Sequence, residues 1–269
     1  MAKVNKTVWL SGGFGNVMFQ MLLVERFYNL DYNVTVVGIL TKKNLLTKLL
    51  NWTIHEDITS NIMTKYPNII VENDIRFKHI KSLFFLTLSK LFSFNFFGYL
   101  FFKKFNEIQL RNAKQYMGYF QSEEYIKNFS NEIKQISNYI SKNINEKQNS
   151  SLVFHFRWGD TDWGRKYENY YYKIRELLII ENVSIRIVTD DLTKAKAFFA
   201  NIDNIQFSKS DNPFDDFLIL LNAETLILAP STFSWWAAIL TTKATKIYAP
   251  KEIISFLPIS TNNSIVNAI

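Results

Sequence analysis

The sequence contains no cysteine, so it forms neither disulfide bonds nor thiolate metal sites. This composition is typical of a reducing compartment. The first residues lack an apolar stretch of signal-peptide length, and we therefore expect a cytoplasmic protein. No internal repeat occurs, and 48% of the residues are apolar. A disulfide-bonded scaffold, a repeat protein and a disordered chain are therefore excluded.

The sequence also lacks a concentrated block of positive charge. Its formal net charge is +7, but the Lys and Arg residues are scattered among Asp and Glu. No zinc-finger or RNA-recognition signature occurs, so we do not expect nucleic acid as a partner. The basic balance instead suits a phosphorylated small substrate or an anionic membrane surface.

A phenylalanine-rich segment, residues 83–102, contains a single charge, Lys90, over a length close to that of a transmembrane helix. Asn95 and Gly98 interrupt it, which favours one or two short helices with their Phe side chains in the core. The alternative is an interfacial patch, flanked by lysines, that rests on a membrane. These lysines are Lys81, Lys103 and Lys104.

The chain is long enough, at 269 residues, for one large domain or two modest ones. The polar stretch 141–151 predicts a boundary between domains 1–145 and 146–269. Beyond it, strand-like runs alternate with helix-length segments. The predicted strands are Leu152–Phe156, Ser184–Thr189, Ile205–Phe207, Thr225–Ala229 and Lys246–Ala249, and the predicted helices are 167–181, 192–201, 213–223 and 233–242.

This alternation predicts right-handed crossovers and a doubly wound parallel sheet. The first half opens in the same way, with the strand TVWL, the loop SGGFGN, a helix and the strand NVTVV. We therefore expect an α/β fold of two Rossmann-like domains that face a cleft, where the carboxyl ends of the strands bind ligands.

Charged side chains accumulate at the end of the predicted strand Leu152–Phe156, in the element HFRWGD. His155 and Arg157 alternate with apolar residues and so point to the same side. A cation beside an imidazole suits a diphosphate attached to a ring with hydrogen-bonding edges. An ion pair between Arg157 and Asp160, with a structural histidine, explains the element equally well.

Three further elements place polar groups at predicted strand ends. Asp190 and Asp191, in VTDD, suit either a helix N-cap or contacts with a base, a ribose or a metal. In APSTFSWW, a strand ends before Ser231 and a helix follows, an arrangement that serves either N-capping or phosphate binding. The loop SGGFGN permits a tight turn and close approach of a ligand.

The joint occurrence of these elements resembles a known family. GGFGNVMFQ, GYFQSEEYI, HFRWGD, VTDD and STFSWWAA are similar to the motifs of the α-1,2-fucosyltransferases, glycosyltransferase family 11, from about residue 10 to about residue 250. The resemblance implies a GT-B-like, inverting and metal-independent enzyme without a cofactor. Such enzymes transfer fucose from GDP-β-L-fucose, typically to O2 of a galactose.

The resemblance also implies roles for individual residues. Arg157 would neutralise the diphosphate, while His155 and Asp191 would contact guanine or ribose, with Asp190 supporting or capping. The phosphate oxygens would be bound by hydroxyls at a helix start, and a loop of the N-terminal domain would approach the reacting centre. The hydroxyls are those of Ser231, Thr232 and Ser234, and the loop residues are Gly13, Gly15 and Asn16.

The sequence departs from the family pattern at two positions: Trp158 stands where a second Arg is frequent, and Val17 where a Gln is frequent. The nearest candidates for the general base, which accepts the acceptor hydroxyl's proton, are Asp160 and Asp162. Asp160 is alternatively a group that orients Arg157.

Two other functions remain open at this point. One is a related glycosyltransferase with another linkage or acceptor, and the other is a non-catalytic module that binds a nucleotide sugar or a glycan. The acceptor pocket is expected mainly in domain 1–145. The resemblance implies a galactose-containing acceptor, such as a bacterial surface polysaccharide on a lipid carrier, and hence peripheral contact with the inner membrane face.

Overall fold

The computed structural model describes residues 3–38, 65–72, 79–92, 99–102, 110, 112–142, 150–158, 163–180, 183–256, 259 and 264–269. The chain forms two compact units, an N-terminal unit, Met1–Ile136, and a C-terminal unit, Ser137–Ile269. The division falls within a helix that precedes the polar stretch 141–151.

The described part of the N-terminal unit alternates strands and helices. Its elements are β1 (Asn5–Leu10), α1 (Phe14–Asn29), β2 (Asn33–Gly38), β3 (Ile70–Glu72), α2 (Ile80–Phe92), β4 (Tyr99–Phe102), β5 (Gln115–Gly118), α3 (Glu123–Asn128) and α4 (Ser130–Ser141), the last of which continues into the C-terminal unit. The strands form a five-stranded sheet in the order β3-β2-β1-β5-β4, and every pairing in it is parallel.

The C-terminal unit repeats this plan. Its elements are β6 (Ser150–Phe156), α5 (Trp163–Lys166), α6 (Glu168–Ile180), β7 (Ile185–Thr189), α7 (Leu192–Phe198), β8 (Ile205–Ser208), α8 (Pro213–Leu221), β9 (Ala223–Ile227), α9 (Thr232–Leu240), β10 (Lys246–Ala249), α10 (Lys251–Phe256) and β11 (Ile265–Ala268). The six strands are ordered β11-β10-β9-β6-β7-β8, again all parallel. The predicted α/β fold with two parallel sheets is confirmed.

Local sequence signals explain where the helices begin. Asn212 caps α8, and its side-chain oxygen accepts a hydrogen bond of 2.9 Å from the N–H of Phe214. Pro213 occupies the first turn, where its missing N–H costs no hydrogen bond. The paired Trp235 and Trp236 of α9 are fully buried, so this helix is anchored in the core.

The phenylalanine-rich segment contains the helix α2 and the strand β4, with residues 93–98 outside the described part. On α2, Leu86 is buried, whereas Phe84 is 60% exposed, so core packing accounts for only part of this helix. Among the described residues, no helix is both long enough and apolar enough to cross a bilayer. The membrane-contact alternative stays a prediction.

The buried side chain of Gln20 ties the ends of two strands together. From α1, its carboxamide accepts a hydrogen bond from the N–H of Ser11, after β1, at 2.9 Å. It donates to the carbonyl of Ser11 at 3.0 Å and to that of Gly118, at the end of β5, at 2.9 Å. The ends of β1 and β5 are therefore held side by side.

We expect Gln20→Met to lower the free energy of unfolding by about 2–5 kcal/mol, because it leaves the buried N–H of Ser11 and carbonyl of Gly118 without their partner. Urea denaturation of the variant and the wild type measures this loss. The matched control is Gln135→Met, since the exposed side chain of Gln135 bonds, within the described residues, only the side chain of Asn29, and the expected effect is below about 0.5 kcal/mol. Equal effects of the two substitutions would contradict the role of Gln20.

Candidate active site

The strand order of the C-terminal unit creates a point where the chain reverses its direction of travel across the sheet. From β6 it proceeds through β7 to β8, and it then returns to β9 on the other side of β6. Ligands of doubly wound sheets bind at such points, beyond the carboxyl ends of the two central strands. The two elements that follow β6 and β9 are HFRWGD and STFSWW, both predicted to form the site.

Arg157 and Ser231 meet at this point. Arg157 directly follows β6, and its Nη1 donates a hydrogen bond of 3.0 Å to Oγ of Ser231, which follows β9. The same Oγ accepts the N–H of Phe233 at 3.2 Å, and Ser231 is the N-cap of α9. A permanent cation therefore lies beside the positive end of a helix dipole, which together form an anion-binding arrangement.

His155 is buried behind this pair, with 6% of its surface exposed. Its ring lies 5.2 Å from that of Phe233, between centroids, and its Nδ1 has no hydrogen-bond partner among the described residues. Burial, and to a smaller extent the charge of Arg157, lowers the pKa of His155 to about 3. The imidazole is therefore neutral near pH 7.

The two aspartates after β7 have separate structural roles. Asp190 accepts the backbone N–H of Trp158 at 2.9 Å, which links the ends of β6 and β7. Asp191, and not Asp190, caps α7: its Oδ1 accepts the N–H of Lys194 at 3.0 Å. This backbone hydrogen bond is the main cause that lowers the pKa of Asp191. The capping interpretation of VTDD is therefore correct for Asp191.

The hydroxyls at the start of α9 differ in their exposure and in their hydrogen bonds. Thr232 is the first helical residue and is partly exposed. Ser234 is fully buried, and its one hydroxyl proton is shared between the carbonyls of Ala229, 3.1 Å from Oγ, and Ser231, 3.3 Å from Oγ. The predicted phosphate contact of Ser234 is therefore wrong. Its hydroxyl is buried and stabilises the turn before the helix.

Asp160 and Asp162 lie outside the described residues, as does Gly159. Their predicted role in accepting a proton, and the alternative ion pair between Arg157 and Asp160, stay predictions. Among the described residues, no group of three or more His, Asp or Glu side chains is placed to hold a metal ion.

In the N-terminal unit β1 and β5 are neighbours in the sheet, although β2, β3 and β4 lie between them in the chain. Gly13 is the N-cap of α1, and its carbonyl accepts the N–H of Asn16 at 3.0 Å. The side-chain oxygen of Asn16 accepts a hydrogen bond of 2.6 Å from Gln121. Gly15 is buried in the first turn of α1. SGGFGN and GYFQSE therefore converge at one edge of this sheet.

Sequence reasoning missed three residues in this loop region: Gly12, Gln20 and Gln121. Gly12 has a φ of +87°, and an added Cβ would lie 2.5 Å from Nδ2 of Asn16. At Gly13, by contrast, an added Cβ would meet nothing within 4 Å. Glycine is therefore required at position 12 rather than 13. All three residues lie within the family-like motifs, which was the available signal.

Trp158, at the position where a second arginine was expected, turns to the other side of β6. Its ring stacks on Phe156 with a centroid distance of 5.4 Å and packs against Tyr171 and Phe198. Val17, at the second departure from the family pattern, is fully buried in α1. Both substitutions therefore add apolar packing.

Comparison with known proteins relates the chain to sugar transferases. No protein-family model matches it. Over 263 residues it is 26% identical to an alpha-1,2-colitosyltransferase of Escherichia coli, with 85% of each chain covered. The structure is similar to that of E. coli heptosyltransferase WaaC with ADP, at a TM-score of 0.55 and 10% identity over 98% of this chain and 93% of the other.

The same heptosyltransferase with ADP-2-deoxy-2-fluoro heptose gives a TM-score of 0.53 at 9% identity and the same coverage. At this identity the likeness concerns the fold, and the predicted GT-B-like fold class is confirmed. The sequence comparison thus relates the chain to a glycosyltransferase, and the structural comparison shows the fold.

Proposed function

We propose that the protein is an inverting glycosyltransferase that moves L-fucose from GDP-β-L-fucose to O2 of a galactose in an acceptor glycan. The family-like motifs and the alpha-1,2-colitosyltransferase relative support a nucleotide-sugar donor and this linkage. The observation that carries the proposal is the hydrogen bond between Arg157 and Ser231, because it joins the two motifs at the reversal point of the sheet.

The reaction requires stabilisation of a leaving diphosphate. As O2 of the acceptor attacks C1 of fucose, the bond between C1 and the β-phosphate oxygen breaks, and negative charge develops on GDP. The planar guanidinium of Arg157 carries a positive charge and donates hydrogen bonds in a fixed fork. Its guanidinium and the start of α9 together supply a preoriented positive potential at the leaving group. The proposal therefore assigns this role to the protein and to no metal or cofactor.

The nucleoside is assigned to the neighbouring groups. His155 is assigned to guanine or ribose, and its buried Nδ1 makes no hydrogen bond to the described residues. Asp191, although it caps α7, still has carboxylate lone pairs, since an ionised carboxylate accepts about four hydrogen bonds. Asp160 and Asp162 remain the proposed acceptors of the proton from the attacking hydroxyl.

A second candidate donor is GDP-colitose. Colitose is fucose without the 3-hydroxyl, and the relative named above is a colitosyltransferase. The two functions share the linkage and the leaving group, and they differ only in whether the site accommodates O3 of the sugar.

The proposal places the enzyme in the cytoplasm, with the acceptor at a membrane surface. Phe84, which is 60% exposed on α2, and exposed Lys81 beside it support peripheral contact with an anionic lipid surface. No nucleic-acid partner is proposed.

We expect GDP release from GDP-fucose when the full chain is incubated with a panel of galactosides, with GDP-colitose and UDP-galactose as parallel donors. Coupled detection of GDP or UDP measures turnover, and NMR of the product identifies an α-1,2 linkage. Faster turnover of GDP-colitose would select the second candidate. Binding of GDP-fucose without GDP release, in the presence of every acceptor, would indicate a non-catalytic module instead.

We expect Arg157→Ala to lower turnover by at least about 100-fold, because it removes the cation at the leaving group. Arg157→Lys keeps the charge but not the fork, so it should retain more activity than Arg157→Ala. The control is Arg186→Ala, since Arg186 lies on the adjacent strand and bonds Gln206. Near-normal turnover of Arg157→Ala, in a protein with unchanged thermal stability, would refute the assignment.

The lowered pKa of His155 predicts that the free energy of unfolding depends on pH. Its pKa in the folded protein is about 3, below the value of about 6.5 in the unfolded chain. The unfolded chain therefore takes up a proton as the pH falls below 6.5. The stabilising contribution is complete above that pH and declines as the pH falls toward 3.

Between pH 7.5 and 5, the wild type should lose about 2 kcal/mol more unfolding free energy than His155→Gln. Urea denaturation at both pH values measures the difference, and the other histidines cancel because both proteins contain them. Parallel losses in the two proteins would show that His155 is not held neutral.

A further inference from the structure

A pocket of about 470 Å³ lies between α6 and α7, on the side of β6 away from Ser231. We call it the α6–α7 pocket. Its volume falls in the range of about 300–1,000 Å³ that is usual for ligand sites. It is lined by Phe156, Trp158, Tyr172, Arg175, Lys194, Ala197 and Phe198. None of these residues except Trp158 was singled out from the sequence.

The charge of this lining is positive. Arg175, on α6, is partly buried and forms neither an ion pair nor a hydrogen bond within the described part of the chain, and its Nε is fully buried. Lys194, on α7, lies 3.5 Å from the carboxylate of Asp191, which also caps that helix. A partly buried guanidinium without an anion loses hydration and gains nothing in return. The pocket therefore favours an anionic occupant.

The walls of the pocket are aromatic. Phe198 packs against Trp158 with a centroid distance of 5.8 Å and against Tyr172 with one of 5.1 Å. Tyr172 is 48% exposed, so its ring is accessible to a ligand from solvent. Such a surface accepts a flat group with an apolar face, and a pyranose ring presents one through its C–H bonds.

We propose that the α6–α7 pocket binds a negatively charged sugar residue of the acceptor glycan, with its ring on Tyr172 and Phe198 and its anionic group on Arg175. The anion is a carboxylate or a phosphate carried by the sugar. Assignment of this sugar to the acceptor rests on the proposed function, whereas the binding itself does not.

The guanidinium of Arg157 points away from this pocket, whereas Asp191, assigned to the nucleoside, contacts its lining residue Lys194. Arg157 directs its side chain to Ser231, on one side of β6. Its own carbonyl accepts the hydroxyl of Tyr171 at 2.9 Å, and Trp158 turns to the α6–α7 side. An occupant of the pocket thus lies close to the backbone of Arg157. It does not contact the guanidinium of Arg157, which is assigned to GDP.

The test is a binding titration of the full chain by ligand-detected NMR. The probes are galacturonate, galactose 6-phosphate and neutral galactose, each with and without saturating GDP. We expect either or both anionic probes to bind more tightly than galactose, and the preferred one identifies the anion. Arg175→Gln should raise the Kd of the preferred probe about tenfold or more, because it removes a charge-assisted hydrogen bond.

The matched control is Lys173→Gln, an exposed position on the same helix outside the pocket, and its expected change in Kd is within about twofold. Arg175→Lys should restore part of the affinity and shows that the loss does not come from misfolding. Equal affinity for galactose, equal effects of Arg175→Gln and Lys173→Gln, or displacement of the probe by GDP would each overturn the proposal.

Transfer assays distinguish this proposal from the function proposed above. Fucose transfer without Arg175-dependent binding would overturn only the α6–α7 pocket. Arg175-dependent binding without any transfer would support the proposed binding role of the α6–α7 pocket and overturn the proposed activity.

Discussion

The parallel pairing of β6 with β9 is the constraint on which the candidate active site depends. These strands are adjacent in the sheet but separated in the chain by β7 and β8, and their register places Phe154 opposite Ile227. Both strands end at the same edge, so the residues that follow them must meet. Arg157 and Ser231, 74 positions apart, are therefore brought into hydrogen-bond contact by the sheet itself. Any change of register would separate the cation from the start of α9.

In the N-terminal unit, too, two strand ends lie side by side, but different hydrogen bonds connect them. The ends of β1 and β5 are adjacent, and the carboxamide of Gln20 bonds the backbone of Ser11, just after β1, and of Gly118, the last residue of β5. Asn16 and Gln121 form a second link close to it. In this unit the connection is a buried neutral network, whereas in the C-terminal unit it includes a charged group. A neutral network fixes the conformation of the loop without adding a net charge.

The sequence predicted most of the fold because the strands are buried and the helices carry clear start signals. Asn212-Pro213 and Ser231 are examples, since each sits where backbone N–H groups need an acceptor. The strand β11 was missed because Ile265–Ala268 lies at a sheet edge, and Ile265 is 70% exposed, so no periodic burial marks it.

Individual site residues were harder to predict than the motifs that contain them. Ser231 and Ser234 are three positions apart in one motif, yet one hydroxyl meets Arg157 and the other is buried against backbone carbonyls. Gly12 and Gly13 are adjacent, but only Gly12 requires a positive φ. These distinctions arise from helical geometry and from contacts with distant segments, which one-dimensional patterns do not contain. The cation Arg175 was missed for the same reason, because only folding brings it beside Trp158.

The three hydrogen bonds around Arg157 have a consequence for the rate of a reaction at this site. Ser231 accepts from its guanidinium, Tyr171 donates to its carbonyl, and Asp190 fixes the next backbone N–H. The backbone on both sides of the cation and the cation itself are thus ordered before any ligand arrives. The reorganisation energy and the loss of rotamer entropy that a flexible arginine would incur on binding are already included in the free energy of folding. More of the interaction between Arg157 and an arriving anion can therefore appear as stabilisation of charge at the moment it forms.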